Sequence, residues 1–296
     1  MTVGFIGTGQ MGFPMCGHLL DAGHQVVVHD TNAEAVKPLA ERQARVAASA
    51  REVADSAELV FASLPTLNAY SEVAVGAGGV IEGTAANVFV NLGTVGGGFI
   101  RDIADKLAAR GIATIDCPIS GGPAGAAAGT LSVMVSGPQA AFETVKPYLE
   151  LMGTITYAGA EPGMAQSLKL VNNILTATAL AATSEAMVMG VKAGLDPETI
   201  LQAVNIGSGR NSATLEKFPA EVLTHNYSFG AALDIICKDV DLALNEGESL
   251  GVPMQVCQGV RQFLRTARAI NGGQADITTV AKLVGQWAGK EIPKTR

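Results

Sequence analysis

A lysine with two asparagines close behind it stands in an apolar stretch, Gly163-Met164-Ala165-Gln166-Ser167-Leu168-Lys169-Leu170-Val171-Asn172-Asn173. An ammonium group in apolar surroundings can give a proton to a developing alkoxide. When burial favours the neutral amine, it can take one from an alcohol. Residues three and four apart share a helix face, so Gln166, Asn172 and Asn173 flank Lys169 and can hold it or a substrate hydroxyl. A lysine snorkelling from a helix edge is the plain alternative.

A second run, at residues 4–12, reads Gly-Phe-Ile-Gly-Thr-Gly-Gln-Met-Gly. Gly7, Gly9 and Gly12 fit the pattern Gly-x-Gly-x-x-Gly. The first glycine permits a tight turn, the second lets a pyrophosphate approach the backbone, and the third lets helix and strand pack closely. The phosphate then lies on a helix N-terminus, where free N–H groups and the dipole favour an anion. The run follows a predicted strand and opens a predicted helix. Asp30 ends the next strand, 21 residues past Gly9, where a ribose-binding acid is expected. Gly7, Gly9, Gln10, Met11, Gly12, Asp30 and Thr31 are therefore the expected dinucleotide site. A carboxylate at Asp30 repels a 2′-phosphate, and Thr31-Asn32 follow it with no arginine, so NAD is expected over NADP. An ordinary strand-end turn residue is the alternative for Asp30.

These groups need a frame. Short β-branched runs alternate with helical stretches through residues 1–160. Strands are predicted at Thr2–Gly7, Gln25–His29, Leu59–Ser63, Val88–Leu92, Thr114–Asp116, Leu131–Ser136 and Thr154–Tyr157, with helices such as Met11–Ala22 and Phe99–Arg110 between them. That alternation implies an α/β fold with a doubly wound, mainly parallel sheet of Rossmann type. After Gly163 the strand signal stops. One long helix is predicted over 164–193, with Leu168, Val171, Leu175, Ala179, Ala182 and Ala186 as its apolar stripe. Gly194 caps it and Asp196-Pro197 starts the next helix. A helix near 231–250 carries Leu233, Ile236, Val240 and Leu244 on one face, and two more follow at 254–270 and 277–288. The expected division is a dinucleotide-binding domain at 1–160 and an all-helical domain at 161–296, the latter with catalytic and dimerisation roles.

Composition narrows the classes. The chain has 296 residues, 48% hydrophobic and 16% charged, with formal net charge −7. No basic cluster suits a nucleic-acid surface, so no such partner is expected. Residues 170–191 approach membrane-spanning length, but Asn172, Asn173, Ser184 and Glu185 interrupt them, and a helix buried between domains or subunits fits better. The first residues carry no signal-peptide pattern and run straight into a predicted strand, so a cytoplasmic location is expected. Cys16, Cys117, Cys237 and Cys257 are scattered, without metal-ligand or disulfide spacing. They are read as buried free thiols, and no metal is expected. His18, His24, His29 and His225 form no motif.

Four ordered runs spanning the chain resemble the β-hydroxyacid dehydrogenase family, which includes 3-hydroxyisobutyrate dehydrogenase and tartronate semialdehyde reductase. They are the glycine run through Met15; Asp116-Cys117-Pro118-Ile119-Ser120-Gly121-Gly122 with Gly125-Ala126 and Gly129-Thr130-Leu131; Lys169-x-x-Asn172-Asn173; and Lys238-Asp239. The resemblance implies that Lys169 is the acid/base. It also implies that Ser120, Gly121 and Gly122 bind a substrate carboxylate and that Asn173 contacts substrate. The loop suits that role on its own account, because glycines leave backbone N–H groups open to an anion. Leu64 and Pro65, Thr94 and Lys238 match cofactor-side positions of the family. An ion pair of Lys238 with Asp234 or Asp241 is the alternative, and Asp239 reads as structural.

Two departures stand out. The usual Asp-x-Ser-Thr run is Asn91-Leu92-Gly93-Thr94 here, so one hydroxyl is missing, and Ala165 replaces a usual glycine. The loop Gly207–Ser212 lies where members vary with substrate. Arg210 or Asn211 is a candidate contact for a distal acidic or hydroxylated group, with a solvated Arg210 as the alternative.

The resemblance implies reversible hydride transfer between NAD, or alternatively NADP, and a small 3-hydroxy acid or its semialdehyde, in a homodimer or homotetramer. A decarboxylating 6-phosphogluconate dehydrogenase would be longer and carry His-Asn after the lysine. An imine reductase would normally lack the lysine. A non-catalytic NAD-binding sensor is the alternative outside this class.

Overall fold

The computed structural model describes residues 2–295. Among the described residues nine strands form one sheet: β1 (Thr2–Ile6), β2 (Gln25–His29), β3 (Arg45–Val46), β4 (Leu59–Ala62), β5 (Val88–Asn91), β6 (Ala113–Asp116), β7 (Ile119–Ser120), β8 (Leu131–Ser136) and β9 (Gly153–Gly159). Their order is β3-β2-β1-β4-β5-β6-β8-β7, with β9 on β8. From β3 to β6 every pair is parallel. β8 runs antiparallel to β6 and β7, and parallel to β9. The expected doubly wound α/β sheet followed by helices is what the structure shows.

Both sheet faces are covered, so the central strands are apolar on both sides. Val3, Phe5, Leu59, Phe61, Val88 and Val90 pack into one cluster. Their neighbours Ile6, Val60, Ala62 and Phe89 point into another. This period-two division lets uninterrupted apolar runs serve as strands. β2 and β8 have the predicted bounds. β3 and β7 are two residues each and were not foreseen, being too short to show a period.

The chain divides into two compact units at Lys169/Leu170. The second unit is helical: Pro197–Ile206, Leu233–Ser249, Gln255–Asn271 and Thr279–Ala288 join the long helix Met164–Lys192, which runs across the division. Leu233, Ile236, Val240 and Leu244 are buried together, as expected, against Leu170, Ile174, Ala177 and Leu180 of the long helix. Gly194, at φ +90°, ends that helix, and the Asp196 carboxylate caps the next by accepting from Thr199 N at 2.8 Å.

Of the apolar stripe on the long helix, Leu168 and Ala179 are half-buried and the other four residues are exposed. Val171 is 55% exposed and Leu175 64%, and Ala182 and Ala186 are also exposed. The core instead takes the adjacent row, Leu170, Ile174, Ala177, Leu180, Val188 and Val191. The helix is apolar on two faces, and periodicity cannot say which one meets the core. It is long and apolar enough to cross a membrane by length and composition, with 56% of its most apolar window buried.

A π-helix, Ala213–Val222, was also unforeseen. Pro219 lies inside it and lacks the N–H that would meet the carbonyl of Thr214 in an i→i+5 ladder. Asn205 Nδ2 donates to that carbonyl at 3.1 Å instead.

Candidate active site

The glycine run lies between β1 and the helix Gly12–Asp21. Gly7 adopts φ +85°, and a Cβ there would collide with the carbonyl oxygen of Ser63. A Cβ at Gly12 would collide with the carbonyl oxygen of Gly7. At Gly9, by contrast, a Cβ would meet no atom within 4 Å. The helix begins at Met11 with no side chain among the described residues capping it. Open space at Gly9 beside an uncapped helix start fits a pyrophosphate. Gln10 and Thr31 are exposed and Met11 is half-buried. Asp30 reaches back over the loop: its Oδ2 accepts from Thr8 N at 2.7 Å and Thr8 Oγ1 at 3.3 Å, and its Oδ1 accepts from Asn32 N at 2.8 Å. The carboxylate thus ties the end of β2 to the glycine loop, and its remaining lone pairs can serve ribose hydroxyls. These residues fit a dinucleotide.

Leu64 and Pro65 follow β4. The buried Tyr70 holds them: its hydroxyl accepts from Leu64 N at 3.1 Å and donates to the Ala62 carbonyl at 3.0 Å. A Cβ at Gly93 would strike that phenol, so the missing side chain at position 93 has a steric cause. Asn91 Oδ1 accepts from Gly93 N at 3.2 Å and shapes the turn that carries Thr94. Tyr70 has no sequence signal of its own, because its role arises from a contact between a helix and a distant loop.

Ser120 lies on β7, paired with Ser132 of β8. Gly121 and Gly122 follow at φ +132° and +63°, a region that side-chain-bearing residues rarely adopt. A Cβ at Gly122 would meet nothing within 4 Å. The turn therefore presents bare backbone on an open side.

Lys169 is 6% exposed, one turn into the long helix. Gln166, three residues before it, has its amide engaged by the sheet end. Gln166 Oε1 accepts from Val95 N at 2.8 Å and Gly96 N at 3.0 Å, and its Nε2 donates to Asp116 Oδ1 at 2.6 Å and the Gly93 carbonyl at 3.0 Å. Asp116 also accepts from Asn91 Nδ2 at 3.0 Å, Gln166 N at 3.1 Å and Gly163 N at 3.2 Å. Burial pushes its carboxyl up to about 6, against the pull of the donors from Gln166, Asn91 and Gly163. Ser136 Oγ accepts from Ala165 N at 2.9 Å.

In the helical unit, Asn173 Nδ2 donates to Asp239 Oδ2 at 2.6 Å, and Asn172 Nδ2 donates to Asn173 Oδ1 at 3.0 Å. Lys238 Nζ is 3.0 Å from Asp239 Oδ1. The alternative partners of Lys238 are engaged elsewhere: Arg268 pairs with Asp234, and Arg265 with Asp241 at 2.8 Å. Asp239 thus orients both Asn173 and Lys238. The Asn211 side chain caps the π-helix, accepting from Ala213 N at 2.8 Å and Thr214 N at 3.2 Å, and its Nδ2 donates to Thr183 Oγ1 at 3.2 Å. Arg210 beside it is exposed.

The four histidines make backbone or ring contacts: His18 with the Ala126 carbonyl, His29 with that of Ala47, His225 with that of Ile292, and His24 with the Tyr148 ring. Cys16, Cys117 and Cys237 are buried free thiols, as expected, and Cys257 is half-buried. Burial pushes the Cys16 thiol up to about 12.

Comparison with known proteins covers nearly the whole chain. The family described as the NAD binding domain of 6-phosphogluconate dehydrogenase matches residues 2–159. The family described as NAD-binding of NADP-dependent 3-hydroxyisobutyrate dehydrogenase matches residues 163–284. The 2-(hydroxymethyl)glutarate dehydrogenase of Eubacterium barkeri is 34% identical over 291 residues, covering 98% of this chain and 97% of that protein. The solved 3-hydroxyisobutyrate dehydrogenase of Mycobacterium tuberculosis with L-serine superposes at TM-score 0.87 with 26% identity, covering 96% and 98% of the two chains. An imine reductase of Streptomyces aurantiacus, 24% identical at TM-score 0.64 over 96% and 99%, shares the fold.

Proposed function

The chain belongs to the β-hydroxyacid dehydrogenase family, and from that premise we propose that it interconverts a short 3-hydroxy acid and its semialdehyde or keto acid, with Lys169 as the proton-transferring group. A nicotinamide cofactor held at the glycine loop would supply the hydride chemistry. The observation that carries the reading is a buried lysine on a helix whose start is fixed to the sheet of a dinucleotide-binding fold.

Gly7, Gly9, Gln10, Met11 and Gly12 receive the pyrophosphate, and Asp30 with Thr31 the adenosine ribose. Leu64, Pro65, Thr94 and Lys238 serve the nicotinamide side. Charge builds on the carbonyl oxygen during reduction, and the Lys169 ammonium delivers the proton that neutralises it. In the oxidative direction the neutral amine removes the hydroxyl proton. The bare backbone at Gly121 and Gly122, with the Ser120 hydroxyl, clamps the substrate carboxylate. Asn173, oriented by Asp239, holds the reacting oxygen. Asp30 favours NAD over NADP.

Arg210 is the candidate for a second acidic group on the substrate, with Asn211 fixing the loop that presents it. The Eubacterium barkeri relative is a dehydrogenase of 2-(hydroxymethyl)glutarate, a dicarboxylate. The exposed row Val171, Leu175 and Met189 on the long helix supports a homodimer or homotetramer. A cytoplasmic enzyme without nucleic-acid or membrane partners completes the reading.

The test is NAD(P)H absorbance across 3-hydroxy acids and short semialdehydes, mono- and dicarboxylic, with Lys169→Ala alongside. Turnover that disappears in the variant supports the reading. NADH binding with no turnover on the whole panel overturns it in favour of a binding protein.

A further inference from the structure

Gln166 is fully buried and its amide has no hydrogen-bonding capacity left over. Its oxygen accepts from two backbone N–H groups, and its nitrogen donates to a carboxylate and a carbonyl. The four partners lie on two separate pieces of the sheet end. Gly93, Val95 and Gly96 bracket Thr94 after β5, and Asp116 ends β6. Asn91 and Asp116 are register partners across those strands, and Asn91 Nδ2 joins them at 3.0 Å.

The same anchor grips the backbone of the long helix. Its first amides are donated to side chains from the sheet: Gly163 N and Gln166 N to Asp116, and Ala165 N to Ser136. Asp116 therefore acts as a helix cap supplied from a distant strand. Lys169 lies three residues beyond Gln166 on that helix. A shift of the Gly93–Gly96 loop moves Gln166, and with it the turn that carries the lysine.

An apolar plug would fill this space without the cost of burying a carboxylate, whereas a fully satisfied polar network specifies one arrangement. Resting on the proposed reaction, we propose that Gln166 and Asp116 are positioning residues that lock Lys169 in register with the loop carrying Thr94. Proton transfer needs a heavy-atom separation of about 2.6–3.2 Å, and a misplacement of about 1 Å costs on the order of 100-fold in rate.

The test is steady-state kinetics of Gln166→Ala and the isosteric Gln166→Glu. In the alanine variant kcat falls on the order of 100-fold, more than any rise in KM for NAD, and cooperative melting is retained. The glutamate keeps the acceptor for Val95 and Gly96 but brings a second carboxylate to Asp116, whose charge also acts on Tyr70 and Cys117, with Arg101 against Gly163 and Lys169 three residues along the helix. Protonation restores the donor, so in the oxidative direction the ratio of Gln166→Glu kcat to wild-type kcat at the same pH rises as pH is lowered from 8 towards 6. Unchanged kcat in Gln166→Ala, or a pH profile of Gln166→Glu parallel to wild type, overturns the proposal. If wild type itself turns over nothing, the reaction has failed rather than the lock. The lock is then judged by amide exchange: faster exchange over residues 166–170 in folded Gln166→Ala supports it, and unchanged exchange refutes it.

Discussion

The Tyr70 phenol occupies the space that a side chain at Gly93 would need. A residue on the helix Leu67–Val75 thereby replaces the side chain that the loop before Thr94 lacks, and the same hydroxyl holds Leu64. Tyr70→Phe removes two hydrogen bonds and leaves Leu64 N without its partner, while the Ala62 carbonyl keeps Leu92 N at 2.9 Å. A stability loss of about 1–3 kcal/mol is expected by urea unfolding, with a raised KM for NAD. Gly93→Ser, which brings back the usual family residue, is expected to destabilise as well, because overpacking costs about 1–3 kcal/mol.

Lys169→Ala should lower kcat by about 10²–10⁴-fold, the range for loss of a positioned acid/base. NADH binding and cooperative melting should be retained. Turnover within threefold of wild type would transfer the proton to another group.

Asp30→Asn should raise kcat/KM for NADP relative to NAD by about tenfold, equivalent to ~1.4 kcal/mol. That is a fraction of the ~4 kcal/mol exchanged by two unit charges 4 Å apart near a protein surface, because Asp30 is only half-buried. Kinetics with both cofactors decide it, and an unchanged ratio would show that the carboxylate does not read the ribose.

Asn173 and Asp239 meet at 2.6 Å, so their effects should not add. A double-mutant cycle on Asn173→Ala and Asp239→Ala, read as kcat/KM, should give a coupling of about 0.5–3 kcal/mol. Additivity would mean that the two act separately.

The Asp116 carboxyl is pushed by burial from an ordinary 3.8 up to about 6 in the folded protein. The folded state then holds the proton more tightly than the unfolded chain. The stability this supplies is fully present below pH 3.8 and is lost as pH rises through about 6. Urea unfolding of wild type and Asp116→Asn at several pH values should show the wild type losing ground to the variant between those limits. Parallel curves would place the carboxyl near its ordinary range.

Much of the scaffold was legible because it rests on local rules. β2 and β8 announce themselves by their Val-rich apolar cores, the Leu233–Leu244 face by its period, and the glycine loop by its spacing. What stayed hidden depends on partners distant in sequence. The helix period placed Gln166 near Lys169, yet the side chain is claimed by Val95, Gly96 and Asp116, which no spacing reveals. Both rows of the long helix are apolar, and only the packing of Leu233 and its neighbours selects Ile174 over Leu175. The π-helix was invisible because Pro219 reads as a breaker, until Asn205 satisfies the carbonyl it orphans.

The cysteines have a practical corollary. Reagents that attack sulfur need an accessible thiolate. Cys16, Cys117 and Cys237 are buried, with their ionisation opposed by that burial. Among the described residues this leaves Cys257, on the helix Gln255–Asn271, as the half-accessible sulfur. The molecule thus carries a natural attachment point for a single spectroscopic label, with no cysteine-free background to engineer first.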